Sequence, residues 1–327
     1  MVESGRAKRR RSPTPAGTTR SPSRRLSPPL RAVGVGIVTV LSYLVLLALG
    51  RAAGPGYESG GYPLWAGVAS IAIVIWSFVC GAGVKTLRRQ PLGWRRGGRW
   101  WGIAISAYIA FALLVSGILG LIISQAGGAD WLTLVIRSLA WVAAAPWIML
   151  IWIGHEQVAA AHARIRAVRI PVPADEFDPT RVDGPAISRA SGALEEIWHA
   201  IESSSLALAA VLSTVVINTG ALRTVFGRDE EEFPSWWVLG LGVFFALVLV
   251  AVLAPIVVAW RNEGILLVGR ALGSPRSGVP SESQLGARDR LLRRIGIDRP
   301  LLLRPIAALS VLAPFLTAFV TSLVPTT

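Results

Sequence analysis

The sequence has few of the residues that hold metals, disulfides or nucleophilic sites. It contains one cysteine, Cys80, with three histidines and two lysines among 327 residues. A single cysteine excludes an internal disulfide framework and any multi-cysteine metal or iron–sulfur site. Charged residues make up 16% and hydrophobic residues 53%, whereas soluble domains carry about 25% charged and about 45–50% apolar residues. The composition therefore predicts a membrane protein, and the strong preference for arginine over lysine is typical of GC-rich bacterial genomes.

Seven apolar stretches are long enough to cross a bilayer. A hydrocarbon core of about 30 Å requires about 20 apolar residues at the helical rise per residue. A helix can satisfy its own backbone hydrogen bonds in lipid, where no water is present to do so. The sequence thus predicts an all-α, polytopic integral membrane protein with about seven transmembrane helices. The predicted spans are 32–50, 62–80, 100–124, 131–153, 204–222, 236–260 and 305–324.

The basic residues predict how the chain is threaded. Of the 33 lysines and arginines, 29 lie in the N-terminal tail 1–31 or in the connections 81–99, 154–203 and 261–304. In a seven-span chain these segments share one side, and positive residues stay cytoplasmic during insertion. The N-terminus is therefore predicted to be cytoplasmic and the C-terminus extracytoplasmic, in the cell membrane. The net charge of +14 favours anionic headgroups at the cytoplasmic face, by about 1 kcal/mol per residue, rather than nucleic acid.

The chain divides into a tail and a membrane domain. Residues 1–31 are rich in Arg, Ser and Pro, a composition that cannot bury enough apolar surface to fold and predicts disorder. Residues 32–327 form the predicted helical membrane domain. Its cytoplasmic loops are predicted to contain short amphipathic helices. In the loop 154–203, Ser191 is the expected N-cap of a helix that lies at the membrane interface and leads into the fifth span.

The three histidines raise the question of a metal site. His155 and Glu156 resemble the start of an HExxH motif, but the next histidine is His162, about 10.5 Å further along a helix. Two ligands of one zinc ion must each approach to about 2.0–2.1 Å, which this spacing does not permit. Glu195 and His199 have the favourable i,i+4 spacing, so a mixed site from two helices stays open. The sequence predicts polar helix faces here, with no metal and no cofactor.

The predicted spans carry little chemistry. No Asp, Glu or His lies deep in any of them, and there is no Gly-rich phosphate loop after a strand. Hydrolysis within the membrane would require a nucleophile with a base, or paired carboxylates, at membrane depth. The sequence therefore predicts that the protein is not an enzyme.

Two polar residues inside the spans are the candidate functional residues. Arg137 follows Trp131 by six residues, about 9 Å into the bilayer, and an ionisable residue at that depth indicates a functional site. The alternative is that Arg137 snorkels to the headgroups and stacks on Trp141. Asn218 in the fifth span is expected to hydrogen-bond to a neighbouring helix, with packing as its more ordinary role.

These features favour one function and leave a second open. The first is a non-enzymatic membrane scaffold, sensor or accessory protein that acts through its cytoplasmic loops. Its expected ligands are anionic headgroups, and either a protein partner or self-association is left open. The second is a small-solute transporter or permease subunit with Arg137 in the pathway. That alternative rests on Arg137 and on prolines that should kink three spans, Pro146, Pro255 and Pro314.

Overall fold

The fold is a bundle of helices. A computed structural model describes residues 28–53, 60–90, 105–117, 131–168, 184–226, 234–273, 281–297 and 305–323. Of these residues 94% are helical and none is in a strand, which confirms the all-α prediction for the described part of the chain. The helices are α1 (Pro28–Ala53), α2 (Tyr62–Arg89), α3 (Ile105–Gly117), α4 (Trp131–Arg166), α5 (Pro185–Phe226), α6 (Ser235–Leu272), α7 (Glu282–Ile295) and α8 (Pro305–Ser322).

Five of these helices, α1, α2, α4, α5 and α6, are long and apolar enough to cross a membrane. They indicate a membrane location, whereas the predicted number of about seven spans is not confirmed. The apolar stretches of α3 and α8 contain fewer than 18 described residues, short of the roughly 20 that a bilayer requires. Residues 1–27 of the predicted tail lie outside the described residues, as do the flanks of the predicted third span.

Helix α5 lies at the centre of the bundle. It packs against α2, α4, α6, α7 and α8, whereas α1 packs mainly on α2 at the edge. Helices α4 and α6 run in the same direction, because His162 meets Glu263 near their C-terminal ends. Helix α5 runs in the opposite direction, since Leu194 near its start contacts Trp260 late in α6. This alternation is the arrangement expected of consecutive crossings joined by short connections.

Glycine permits the closest helix approaches. A Cβ on Gly83 of α2 would lie 2.8 Å from Cβ of Pro146 on α4. A Cβ on Gly242 of α6 would lie 2.3 Å from Cβ of Ala318 on α8. Both distances are shorter than van der Waals contact, so a larger residue would push the helices apart. Small residues at such crossings let transmembrane helices pack closely, where no hydrophobic effect drives their association.

Helices α4, α5 and α6 are longer than a bilayer is thick. They contain 36, 42 and 38 residues, about 54–63 Å at the helical rise. At one end their extensions lie together, with α7 packed against α5 and α6, in a group that we call the α7 bundle: residues 154–168, 184–203, 261–273 and 281–297. Each of its helices contributes a fully buried side chain to the hydrophobic cluster that continues through the described residues: Ile165, Leu194, Leu267 and Leu291.

The prediction of an interfacial helix with Ser191 as its N-cap is wrong, because this segment is part of the α7 bundle. Helix α5 is continuous from Pro185, and Ser191 lies buried inside it rather than capping it. The apolar stripe that includes Leu194 and Trp198 packs against Trp260 of α6 instead of lipid. The stripe was visible in the sequence, but an apolar stripe fits a protein groove as well as a membrane surface.

Helix α7 begins at Glu282, after an N-cap at Ser281. Ser281 forms a capping box, in which its hydroxyl accepts from the Gln284 amide and the Gln284 side chain accepts from the Ser281 amide. The box satisfies two backbone donors that the first helical turn leaves free. The helix ends at Gly296, whose φ of 79° is a left-handed conformation that glycine adopts without strain.

Candidate functional site

Arg137 lies in the interior of the bundle, where only 8% of its surface is exposed. It faces a cavity of about 20 Å³ between α4, α5 and α6, which we call the Arg137 cavity. The other lining residues are all apolar in character: Ala140, Trp141, Ala144, Val211, Leu212, Val215 and Phe245. Arg137 is therefore buried among helices. The snorkelling alternative required the side chain to be directed to the surface.

The Arg137 guanidinium has no partner among the residues that the structure describes. No carboxylate, hydroxyl or carbonyl oxygen in this part of the chain accepts a hydrogen bond from it. Placing an arginine at the centre of a membrane helix costs about 2.5–3.5 kcal/mol on insertion scales. Buried guanidinium groups are normally paired, because they carry five donors and remain charged. An arginine that faces a cavity in this state is thus the strongest sign of a site in this structure.

Asn218 is not among the residues that line the Arg137 cavity. It lies on α5 at i+3 from Val215 and i+7 from Val211, so it continues the stripe of α5 that borders the cavity. Its Oδ1 atom is buried and has no hydrogen-bond partner among the described residues. The structure therefore places the two candidate residues on neighbouring helices but not in one common polar pocket.

Trp141 connects the Arg137 cavity to helix α3. Its indole Nε1 donates to Ser116 Oγ at 2.9 Å, and its carbonyl oxygen accepts from the Tyr108 hydroxyl at 2.6 Å. The rings of Tyr108 and Phe111 meet it edge to face, with ring centroids about 6 Å apart, a favourable aromatic arrangement. Helix α3 is therefore held against α4 beside the cavity, a contact that the sequence did not indicate.

The three histidines do not converge. His162 Nδ1 lies 2.8 and 3.0 Å from the two carboxylate oxygens of Glu263, which joins α4 to α6. His199 is exposed and lies 3.9 Å from both Glu195 and Glu202. No group of three or more metal-ligating residues occurs in the part of the chain that the structure describes. The sequence missed Glu263 as the partner of His162, because the two are about a hundred residues apart.

Arginines cover the outer surface of the α7 bundle. Helix α7 buries one face, while Arg288, Arg290 and Arg293 are exposed around the rest of its surface, together with Asp289. Arg294 donates to Ser188 Oγ at 2.9 Å, which ties α7 to the start of α5. The α2 C-terminus reaches the same end, where the Gln157 amide donates to Gln90 Oε1 at 2.8 Å. We call the exposed arginines of α7 the arginine rim.

No protein-family model, curated protein or solved structure matches this chain. The Arg137 cavity and the arginine rim are therefore the two features of the described residues from which a function can be inferred. One is a single charge enclosed by apolar helices. The other is a charged surface on a packed helical support.

Proposed function

We propose that this protein is a non-enzymatic membrane scaffold or accessory protein that acts through the α7 bundle. The observation that supports this function is the arginine rim. Exposed guanidinium groups stand on a helix that packs against α5 and α6, so their spacing is held by the fold. Such a surface suits recognition of an acidic partner, because electrostatic complementarity sets both the rate and the specificity of association.

The burial of α7 explains how the arginine rim is held in place. Ala287, Leu291 and Ile295 repeat at four-residue spacing and are buried, which orients the opposite face outward. Arg293 lies on that outward face and Arg288 at the edge of the buried stripe. Neither forms a hydrogen bond or ion pair with any residue that the structure describes. Arginine forms bidentate pairs with carboxylates and phosphates. The partner that we propose is an acidic protein surface, for which anionic headgroups of the bilayer compete.

The same proposal includes the threading of the chain. The α7 bundle is placed at the cytoplasmic face of the cell membrane, because it carries the arginine-rich connections that the positive-inside rule keeps there. Residues of the tail and of the connections would then share one compartment with the arginine rim. A soluble acidic protein of the cytoplasm would reach the rim directly.

Site-specific photo-crosslinking in living cells tests this function. A photoreactive residue is placed at Arg290 on the rim and, as a matched control, at Trp236, which is exposed at the opposite end of the bundle. We expect a discrete protein adduct from the first position and none from the second. The adduct should be lost in the double variant R288Q/R293Q. Adducts with lipid alone, or equal adducts from both positions, would contradict the proposal.

The buried Arg137 favours a second candidate function, a small-solute transporter or permease subunit. The Arg137 cavity of about 20 Å³ is large enough for one water-sized particle, for which about 10–15 Å³ is sufficient. A solute that uses this route must therefore be very small in the conformation described. Flux of small anions into liposomes that contain the purified protein tests this function, and loss of flux in R137A would support it. Equal flux in R137A and the unchanged chain would oppose it.

A further inference from the structure

Arg137 differs from the other buried arginine of the described chain. Arg137 and Arg223 are the two arginines buried among these residues, with 8% and 3% of their surfaces exposed. Arg223 is engaged in an interaction within the protein, whereas Arg137 has none with a described residue and borders a cavity. A guanidinium does not lose its proton under ordinary conditions, so the charge at Arg137 persists when it is buried. A buried charge requires an opposite charge nearby, and the described residues do not supply one.

The size of the Arg137 cavity restricts what can supply that charge. Its volume of about 20 Å³ is sufficient for one particle of roughly the size of water, and the cavity is partly open to its surroundings. A carboxylate or phosphate group has several heavy atoms, so it would reach the guanidinium only by extending through the open side of the cavity. The walls are apolar side chains, and the indole N–H of Trp141 already donates to Ser116. The guanidinium is therefore the polar group that an occupant would contact. A monoatomic anion meets each of these conditions, and water meets all of them except charge neutralisation.

We propose that the Arg137 cavity binds one monoatomic inorganic anion, of which chloride is the abundant example, as the counterion of the Arg137 guanidinium. The anion neutralises the charge and accepts hydrogen bonds that no described protein atom accepts. It thereby fills the space between α4, on which Arg137 lies, and the apolar α5 and α6 side chains on the far wall. The small residues Ala140 and Ala144 keep the space open, since a longer side chain at either position would fill it. This site is independent of the function proposed for the α7 bundle.

The test uses the purified full-length protein in maltoside micelles, which contain no phosphate. Its thermal unfolding midpoint is measured while sodium chloride replaces sodium gluconate at constant ionic strength. A ligand that binds the folded state raises the midpoint in a saturable manner, so we expect a saturable rise with chloride or bromide. Gluconate is too large for the cavity and should give no rise. The variant R137Q should weaken the apparent chloride affinity at least about tenfold.

Matched variants distinguish this site from anion binding elsewhere in the protein. R223Q removes the other buried arginine and should keep the chloride dependence. A144V fills the cavity without removing Arg137 and should abolish the dependence, even where R137Q fails to fold. A143V enlarges a buried alanine of the same helix that does not line the cavity and should preserve it. R288Q/R293Q, which tests the function of the arginine rim, should also respond to chloride normally.

Several outcomes would overturn the anion site. A midpoint that does not depend on chloride would mean that only water occupies the cavity. An equal dependence in R137Q or A144V and in the unchanged chain would place the anion elsewhere. Adding phosphatidylglycerol to the micelles distinguishes a headgroup phosphate from a free anion. If this lipid reproduced the chloride effect and abolished the response to chloride, the ligand would be the headgroup and the proposal would be wrong.

Discussion

The indole Nε1 of Trp260 on α6 donates a hydrogen bond of 2.8 Å to the backbone carbonyl oxygen of Leu194 on α5. The same indole packs on Trp198 of α5, with ring centroids 4.6 Å apart. Trp260 is fully buried and lies where the α7 bundle joins the rest of the structure. Its contacts explain why the apolar stripe of α5 is covered by protein rather than by lipid.

Trp260→Ala should strongly destabilise the protein. Loss of a buried tryptophan removes packing and leaves a cavity, which costs about 3–5 kcal/mol of unfolding free energy. Trp236→Ala is the matched control, because Trp236 is 65% exposed and exposed substitutions change stability by within about 0.5 kcal/mol. Unfolding in micelles, followed by helix content, measures both variants. Similar losses in the two variants would show that Trp260 is not a packing centre.

The His162–Glu263 pair should contribute measurably to the contact between α4 and α6. A double-mutant cycle with His162→Ala and Glu263→Gln isolates the pairwise energy, and contacting residues typically couple by about 0.5–3 kcal/mol. We expect the lower end of this range, because the His162 side chain is 35% exposed and solvent weakens the pair. The matched cycle on His199 and Glu195, which are 3.9 Å apart and more exposed, should give almost no coupling.

Much of the helical framework could be predicted from the sequence, because it depends on local patterns. Continuous apolar runs located the five long helices. The sequence also predicted an amphipathic segment after Ser191. It did not identify the surface that covers this segment, since periodicity describes one helix and not its neighbour.

For the candidate site too, the sequence indicated the residue but not the helices that surround it. The position of Arg137 within an apolar run indicated a functional residue, and the structure places it beside a cavity. The walls of that cavity come from α5 and α6, and Phe245 is more than a hundred residues away from Arg137 in sequence. Which helices meet depends on shape complementarity at positions such as Gly242. The spacing of residues along a single sequence carries no information about which helices contact one another.

Gly242→Val should weaken the contact between α6 and α8. The added Cβ would lie 2.3 Å from Cβ of Ala318 and 2.8 Å from the carbonyl oxygen of Pro314, so one helix must move. Overpacking of this kind costs about 1–3 kcal/mol. Gly240→Val is the matched control, since nothing lies within 4 Å of a Cβ at Gly240. Thermal unfolding in micelles should show a lower midpoint for Gly242→Val alone, and equal midpoints would contradict this packing.

Cysteine labelling should place the α2 C-terminus and helix α7 on the same side of the membrane. Gln90 at the end of α2 bonds to Gln157 of α4, within the α7 bundle, so the geometry and the positive-inside rule agree. Single cysteines replace Arg88, Arg290 and Gly60 in turn, in a chain that carries Cys80→Ala. With a membrane-impermeant maleimide on intact cells, Gly60→Cys should react, while Arg88→Cys and Arg290→Cys should react only after lysis. Different labelling of Arg88→Cys and Arg290→Cys would refute this arrangement of α2 and α7. The reversed pattern would keep that arrangement and place the arginine rim outside the cell.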